Sequence, residues 1–302
     1  LLSCGTVAAG GCLGILIPPS IMMVMMADQA GISVGKLFAG GVIPGVILGF
    51  LYSAYIIIIT VIDPKKGPAL SAEERAAVPV KERIKLLMVT LVPPMILILG
   101  VLGSIWTGLT TPTEASGAGA FLALLLMVLY GKFSWKGLAR CVWSAARTSC
   151  MVMTVLIGAS IFTGVFLGLG GGMVVTDIIM TFAFLGKWGM FAVMMVIVFF
   201  LGFLVDWIAI IYITFPIFLP IASKLGFDPL WFIIVMAVNL QMSFLTPPFG
   251  YALFYMKGTV PPEITLGDIY RSIVPFVGLQ IVGLIITVVY PPLATYLPSF
   301  IA

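Results

Sequence analysis

The chain has 302 residues, 62% hydrophobic and 9% charged, with a mean hydropathy of +1.24. A soluble domain carries about 25% charged residues, so this composition excludes one and points to a polytopic membrane protein. The net charge is +4 without a single histidine, which excludes His-ligated haem, His-based zinc sites and histidine proton relays; loop asymmetry, not nucleic acid, accounts for the positive charge.

Apolar runs of about 20 residues span a bilayer. The first such run, 5–27, contains "GCLGILIPPSIMM" at 11–23. Adjacent prolines remove two backbone donors and clash with the preceding turn, so Pro18 and Pro19 are expected to break this helix. A spanning helix over 39–62 follows, then a charged loop at 63–85, and spanning helices over 86–108 and 113–131. Residues 132–149 read as an interfacial amphipathic helix, with Trp135, Leu138, Val142, Ala145 and Ala146 on one face and Lys136, Arg140 and Arg147 elsewhere. A spanning helix over 150–168 leads through "GLGGGM" to a short segment, 174–184.

The apolar stretches 189–201 and 207–222 are short for a span and meet at "GFLVDW", which predicts a re-entrant helical hairpin. A second broken helix covers 229–256, interrupted at "SFLTPPFGYAL", 243–253, and a last spanning helix covers 271–290. The organisation expected is a discontinuous helix (1–27), a spanning helix and loop (28–85), scaffold and arm helices (86–188), the hairpin with the second discontinuous helix (189–257) and a C-terminal span (258–302). The four cysteines, Cys4, Cys12, Cys141 and Cys150, lack CxxC spacing and read as small core residues.

With 63–85 placed in the cytoplasm, twelve lysines and arginines fall inside and only Lys36, Lys187 and Lys224 outside, a strong positive-inside bias. The two broken helices then run in opposite directions. Each is followed by a matching segment, "VGKLFAGGVIPGVIL" at 34–48 and "LGDIYRSIVPFVGL" at 266–279: Gly, any residue, an aliphatic, an aromatic, and a proline eight or nine residues after the Gly. These features point to inverted-topology repeats, a signature of secondary transporters. The first repeat is expected to have its own hairpin ahead of Leu1.

Half-helices broken at mid-membrane expose N–H ends that attract anions and carbonyls that ligate Na⁺. The substrate site is therefore expected where Pro18, Pro19 and Ser20 on one break meet Thr246, Pro247 and Pro248 on the other, with Asp206 at the hairpin tip. Asp206 has two readings, an ion ligand or the N-cap of the helix "DWIAI". "TPTE" at 111–114 reads as a capping box with Pro at its first helical position, not as a proton carrier at Glu114. Asn239 and Gln241 are candidates for substrate contacts or for interhelical packing.

The stretches "GCLGILIPPS", "GLTTPTEASGAGA", "GFLVDWIAIIYITFPIFLPIASKLGFDP" and "LTPPFG", in this order along nearly the whole chain, resemble the large membrane subunit of tripartite ATP-independent periplasmic (TRAP) transporters. The resemblance implies an all-α, elevator-type, multi-pass protein of the bacterial inner membrane, with inverted repeats and a re-entrant hairpin. It implies Na⁺-coupled symport of an organic acid such as a C4-dicarboxylate or sialic acid, with Na⁺ as coupling ion and no organic cofactor. Its partners would be a small membrane subunit (Q) and a periplasmic substrate-binding protein. By the same resemblance, one Na⁺ site involves Gly202, Ser243 and Thr246, although the family usually has Gly where Ser243 stands. A second involves Gly14 and Ile17. A standalone Na⁺-coupled anion carrier and a passive channel are the alternatives, and a membrane enzyme is disfavoured because no paired intramembrane aspartates or histidines are present.

Overall fold

The computed structural model describes residues 2–68, 79–247 and 250–301. Its regular structure is helical, and eight segments of the described residues are long and apolar enough to cross a membrane. The contacts divide the chain into two units, Leu1–Ile58 with Val152–Phe300, and Ile59–Met151 with the last two residues.

In the first unit, α1 (Leu2–Leu16) and α2 (Ile21–Ala30) are the two halves of the expected broken helix, and the Pro18–Pro19 bond between them is cis. The long helix α3 (Val34–Ile62) follows. In the second unit, α4 (Val80–Trp106) packs on α5 (Pro112–Leu129), closely enough that a Cβ on Gly119 would lie 3.0 Å from Val101.

Helix α4 limits the proline argument, because Pro93 and Pro94 lie inside it without breaking it. A proline at 93 leaves the carbonyl four residues back, Val89, without its helical donor. The Tyr130 hydroxyl, just past α5, donates to that carbonyl. A neighbouring side chain thus replaces the donor that Pro93 lacks.

A correction concerns 132–168. The interfacial helix and the following span form one uninterrupted helix, α6 (Trp135–Gly168). Polarity changes along it, but no Gly or Pro lies between Gly137 and Gly158 to stop it. The first unit continues with α7 (Gly171–Thr181), a 3₁₀ turn (Phe182–Leu185), and the hairpin arms α8 (Gly186–Leu201) and α9 (Trp207–Lys224), which pack on one another. At 18 residues, α9 is longer than expected and long enough to cross a membrane; its tight turn and pairing with α8, not its length, make it a hairpin arm.

The axis of this unit is α10 (Pro229–Ser243), buried at every position from Trp231 to Ser243. Phe191 and Phe227 stack on Trp231, whose indole N–H donates to the Thr287 carbonyl at 3.0 Å. The chain then breaks, resumes as α11 (Tyr251–Lys257), and enters α12 (Leu266–Val289), followed by the short α13 (Pro292–Thr295). The order half-helix, break, half-helix, long helix thus occurs twice, as α1–α2–α3 and α10–α11–α12.

The register of the two long helices agrees residue for residue at their start. Val34 and Leu266 open them, Gly35 and Gly267 follow, and Pro44 and Pro275 sit inside. Ser33 and Thr265 precede them, each accepting the N–H three residues on. Leu37 and Ile269 are fully buried. The likeness therefore extends to "ISVG" and "ITLG", ahead of the glycine where the sequence comparison began.

Of the cysteines, Cys4 and Cys12 are buried as expected, whereas Cys141 and Cys150 on α6 are exposed.

Candidate functional site

At the first break, α1 ends at Leu16, and the Ile17 N–H still reaches the Leu13 carbonyl at 2.8 Å. Pro18 and Pro19 then offer no donor. Ser20 restarts the chain as the N-cap of α2: its hydroxyl accepts the Met23 N–H at 3.3 Å and donates to the Ile15 carbonyl at the end of α1. One buried hydroxyl thus ties both half-helices together. Ile17 packs against Gly45 of α3, where a Cβ would stand 2.5 Å from its side chain.

At the second break, the Ser243 hydroxyl donates to the Leu240 carbonyl at 2.6 Å and the Thr246 hydroxyl to the Met242 carbonyl at 2.7 Å. Both protons are committed to the backbone, so each oxygen has only lone pairs left to offer. Pro248 lies outside the described residues. The hairpin tip comes to this break. Gly202 closes α8, and a Cβ there would collide with the Ser243 side chain. Gly202 and Ser243 are therefore brought together, and Thr246 follows three residues on, its N–H donating to the Ser243 carbonyl at 3.3 Å. The glycine that permits the close approach sits on the hairpin side, which is how a serine fits at 243.

Asp206 is the N-cap of α9, accepting the Ile208 N–H at 3.1 Å. Of its two readings, capping is the one with a geometry on display. Asn239 donates to the Met195 carbonyl at 2.7 Å, fastening α10 to α8, the interhelical reading. Gln241 is fully buried and its amide has no hydrogen-bond partner among the described residues. Thr111 and Glu114 form the capping box read from the sequence.

A cavity of about 280 Å³ gathers the first break and both other elements: Gly14, Pro19 and Ser20 line it together with Trp207, the first residue of α9, and Phe244, the first past α10. Ile21 and Met22 of the first turn of α2 also line it. First-turn N–H groups have no helical acceptor and sit at the positive end of the helix dipole. Two helix N-termini, those of α2 and α9, thus open on one apolar-walled cavity. Such an arrangement suits an anionic group. Asp206 caps α9 with a negative charge, whereas Ser20 caps α2 with a neutral hydroxyl, so the end of α2 keeps more of its positive potential.

Not every expected residue reaches this cavity. Pro18 and Asp206 are beside it without lining it, while Thr246 and Pro247 line a separate cavity of about 280 Å³ with Arg271 of α12. Trp207 and Phe244, which do line the first cavity, had no sequence signal beyond adjacency to Asp206 and to the break.

A family model described as the DctM component of the tripartite ATP-independent periplasmic transporter matches residues 2–293. The chain is 32% identical over 301 residues to the isethionate TRAP transporter permease protein DctMQ of Oleidesulfovibrio alaskensis, covering 97% of this chain and 45% of that protein. It is 32% identical over 303 residues to the C4-dicarboxylate TRAP transporter large permease protein DctM of Pseudomonas aeruginosa, covering 98% of this chain and 67% of that protein. With the sialic acid TRAP transporter permease protein SiaT of Haemophilus influenzae it shares 26% identity over 307 residues, covering 99% of this chain and 47% of that protein. The chain thus spans between about half and two thirds of the length of these relatives. The paired breaks, the hairpin and the match along nearly its whole length agree that the chain belongs to the DctM family of TRAP transporter components, a family of transport proteins and not of enzymes.

Proposed function

We propose that this chain is the core of a large TRAP permease subunit that imports an organic acid across the bacterial inner membrane, coupled to Na⁺. In this reading a periplasmic binding protein delivers the substrate and a small membrane subunit completes the permease. The observation that carries it is the cavity where the first break, the start of α9 and Phe244 meet. The N-terminus of α2, capped by a neutral hydroxyl, borders that cavity and favours a carboxylate without requiring a basic side chain there.

Na⁺ as the coupled ion has separate support. Ser243 and Thr246 present oxygens whose protons are held by backbone carbonyls, beside the unwound backbone of a helix break, and oxygens of this kind coordinate Na⁺ in broken-helix transporters. The named substrates of the relatives, isethionate, C4-dicarboxylates and sialic acid, are all acids, and the DctMQ name of one relative supports the small-subunit partner.

The test is uptake by proteoliposomes containing the full-length protein with its small subunit, with and without the binding protein, for radiolabelled organic acids. Uptake that needs both an inward Na⁺ gradient and the binding protein supports the proposal. Uptake with Na⁺ alone indicates a standalone carrier, and uptake indifferent to any gradient indicates a channel.

A further inference from the structure

The first unit contains a groove that the transport site does not use. It lies between α7 and the second half of α9 and has a volume of about 560 Å³. Leu167, Met173, Ile217 and Ile221 give it an apolar wall, and Asp177 and Lys224 add one charge of each sign. The helices are close here, since a Cβ on Gly172 would lie 2.9 Å from Leu167 and 3.9 Å from Ile217.

Asp177 and Lys224 line the same groove without closing on each other. The ion pair found among the described residues is Lys66 with Asp63, in the other unit. Neither the Asp177 carboxylate nor the Lys224 ammonium has a hydrogen-bond partner among the described residues, although Thr181 donates to the Asp177 backbone carbonyl. An acid and a base held apart in one apolar groove match a ligand that has a cation and an anion of its own on a hydrocarbon body.

The membrane setting supplies such a ligand. Helix α7 has 11 residues, about 16 Å at 1.5 Å per residue, too short to cross a bilayer. The 3₁₀ turn at Phe182–Leu185 and the left-handed Gly186 separate it from α8. Met173, Val174, Ile178 and Met180 on α7 are exposed apolar side chains beside the groove. The positive-inside count places Lys187 and Lys224 on the outer side, so the groove opens at the headgroup level of the outer leaflet.

We propose that this groove seats a zwitterionic phospholipid with a primary ammonium headgroup, phosphatidylethanolamine. The phosphate faces Lys224, the ammonium donates to Asp177, and an acyl chain runs along Ile217 and Ile221. The primary ammonium matters because it has N–H groups to give a carboxylate, which phosphatidylcholine lacks, while phosphatidylglycerol lacks the cation altogether. The proposal depends on the membrane orientation and not on the substrate or coupling ion.

The experiment uses the full-length permease in nanodiscs of equal parts phosphatidylethanolamine, phosphatidylglycerol and phosphatidylcholine, with native mass spectrometry of the lipids retained on release. The parent protein is expected to keep phosphatidylethanolamine above the other two. Asp177→Asn should lower that retention about three- to tenfold and leave phosphatidylglycerol unchanged, whereas Lys224→Gln should lower both lipids, since each charge contributes one partly desolvated ion pair. Lys187→Gln, an exposed cation outside the groove, is the control and should change nothing. The three side chains are exposed, so the variants are expected to fold. Equal retention of the three lipids by the parent, or phosphatidylethanolamine retention unaffected by both groove substitutions, overturns the proposal.

Discussion

Gly202 at the hairpin tip and Ser243 at the end of α10 pack so closely that a single methyl group on the glycine would collide with the serine side chain. Two helices meet here through a missing Cβ, and the serine hydroxyl is held by the Leu240 carbonyl. Gly202→Ala should therefore destabilise the first unit by about 1–3 kcal/mol through overpacking and cut uptake sharply. Ser243→Gly should restore most of the lost stability in the double variant, because it removes the group that the new methyl meets, but not the uptake, because it also removes an oxygen proposed for Na⁺. Thermal melting and uptake of the two single variants and the double form a cycle. Additive losses would show that the two residues do not touch in the working protein.

Ser20 holds the first break through two hydrogen bonds, one to each half-helix. Ser20→Ala removes the N-cap of α2, worth about 1 kcal/mol, and also takes the donor from the half-buried Ile15 carbonyl, adding about 1 kcal/mol. Hydrogen exchange of the amides at 21–24 should rise, while exchange within α10 stays as it was. Unchanged exchange in the first turn of α2 would count against the bridging role.

Much of this architecture was legible because its signals are local. A proline pair strips two donors from a helix, and a Thr-Pro-x-Glu run caps one, whatever surrounds it. The failures have the opposite character. Pro93 and Pro94 lie within the span expected over 86–108, but no spacing announces that Tyr130, distant in sequence, donates to the Val89 carbonyl that Pro93 leaves free. Residues 132–168 form one helix because a change in polarity is not a change in backbone. The separation of Thr246 and Pro247 from the Ser20 cavity depends on where Arg271 and Phe244 pack, and no spacing in the sequence encodes that.

Tyr130 gives this point a direct test. Tyr130→Phe keeps the ring and removes the donor, so the second unit should lose about 1 kcal/mol, the usual worth of one hydrogen bond. Replacing Pro93 by Ala restores the helical donor to Val89, and in that background Tyr130→Phe should cost little. The comparison is read by chemical denaturation or melting of the four proteins. An equal loss in both backgrounds would mean that the tyrosine acts through packing alone.

Glu114 accepts the Thr111 N–H at 2.8 Å and the Thr111 hydroxyl at 2.9 Å, while Thr111 accepts the Glu114 N–H. A carboxylate occupied in this way serves the helix end. Glu114→Gln preserves the box, since Gln is an accepted partner, and should leave the pH profile of uptake superimposable on that of the parent. Thr111→Ala should cost about 1 kcal/mol with the same pH profile. A shifted profile in Glu114→Gln would restore the proton-carrier role.

Asp206 separates capping from ion coordination most cleanly. Its carboxylate accepts the Ile208 N–H at 3.1 Å and does not line the cavity that Trp207 borders. Asparagine caps a helix about as well as aspartate, and alanine does not. If Asp206 serves the helix, Asp206→Asn should transport nearly as the parent does, with an unchanged Na⁺ concentration for half-maximal uptake, and Asp206→Ala should lose about 1 kcal/mol of stability together with most uptake. If the charge itself holds a cation, Asp206→Asn should fail as badly as Asp206→Ala and should require far more Na⁺. The geometry predicts the first pattern, and a Na⁺ titration of uptake with both variants decides it.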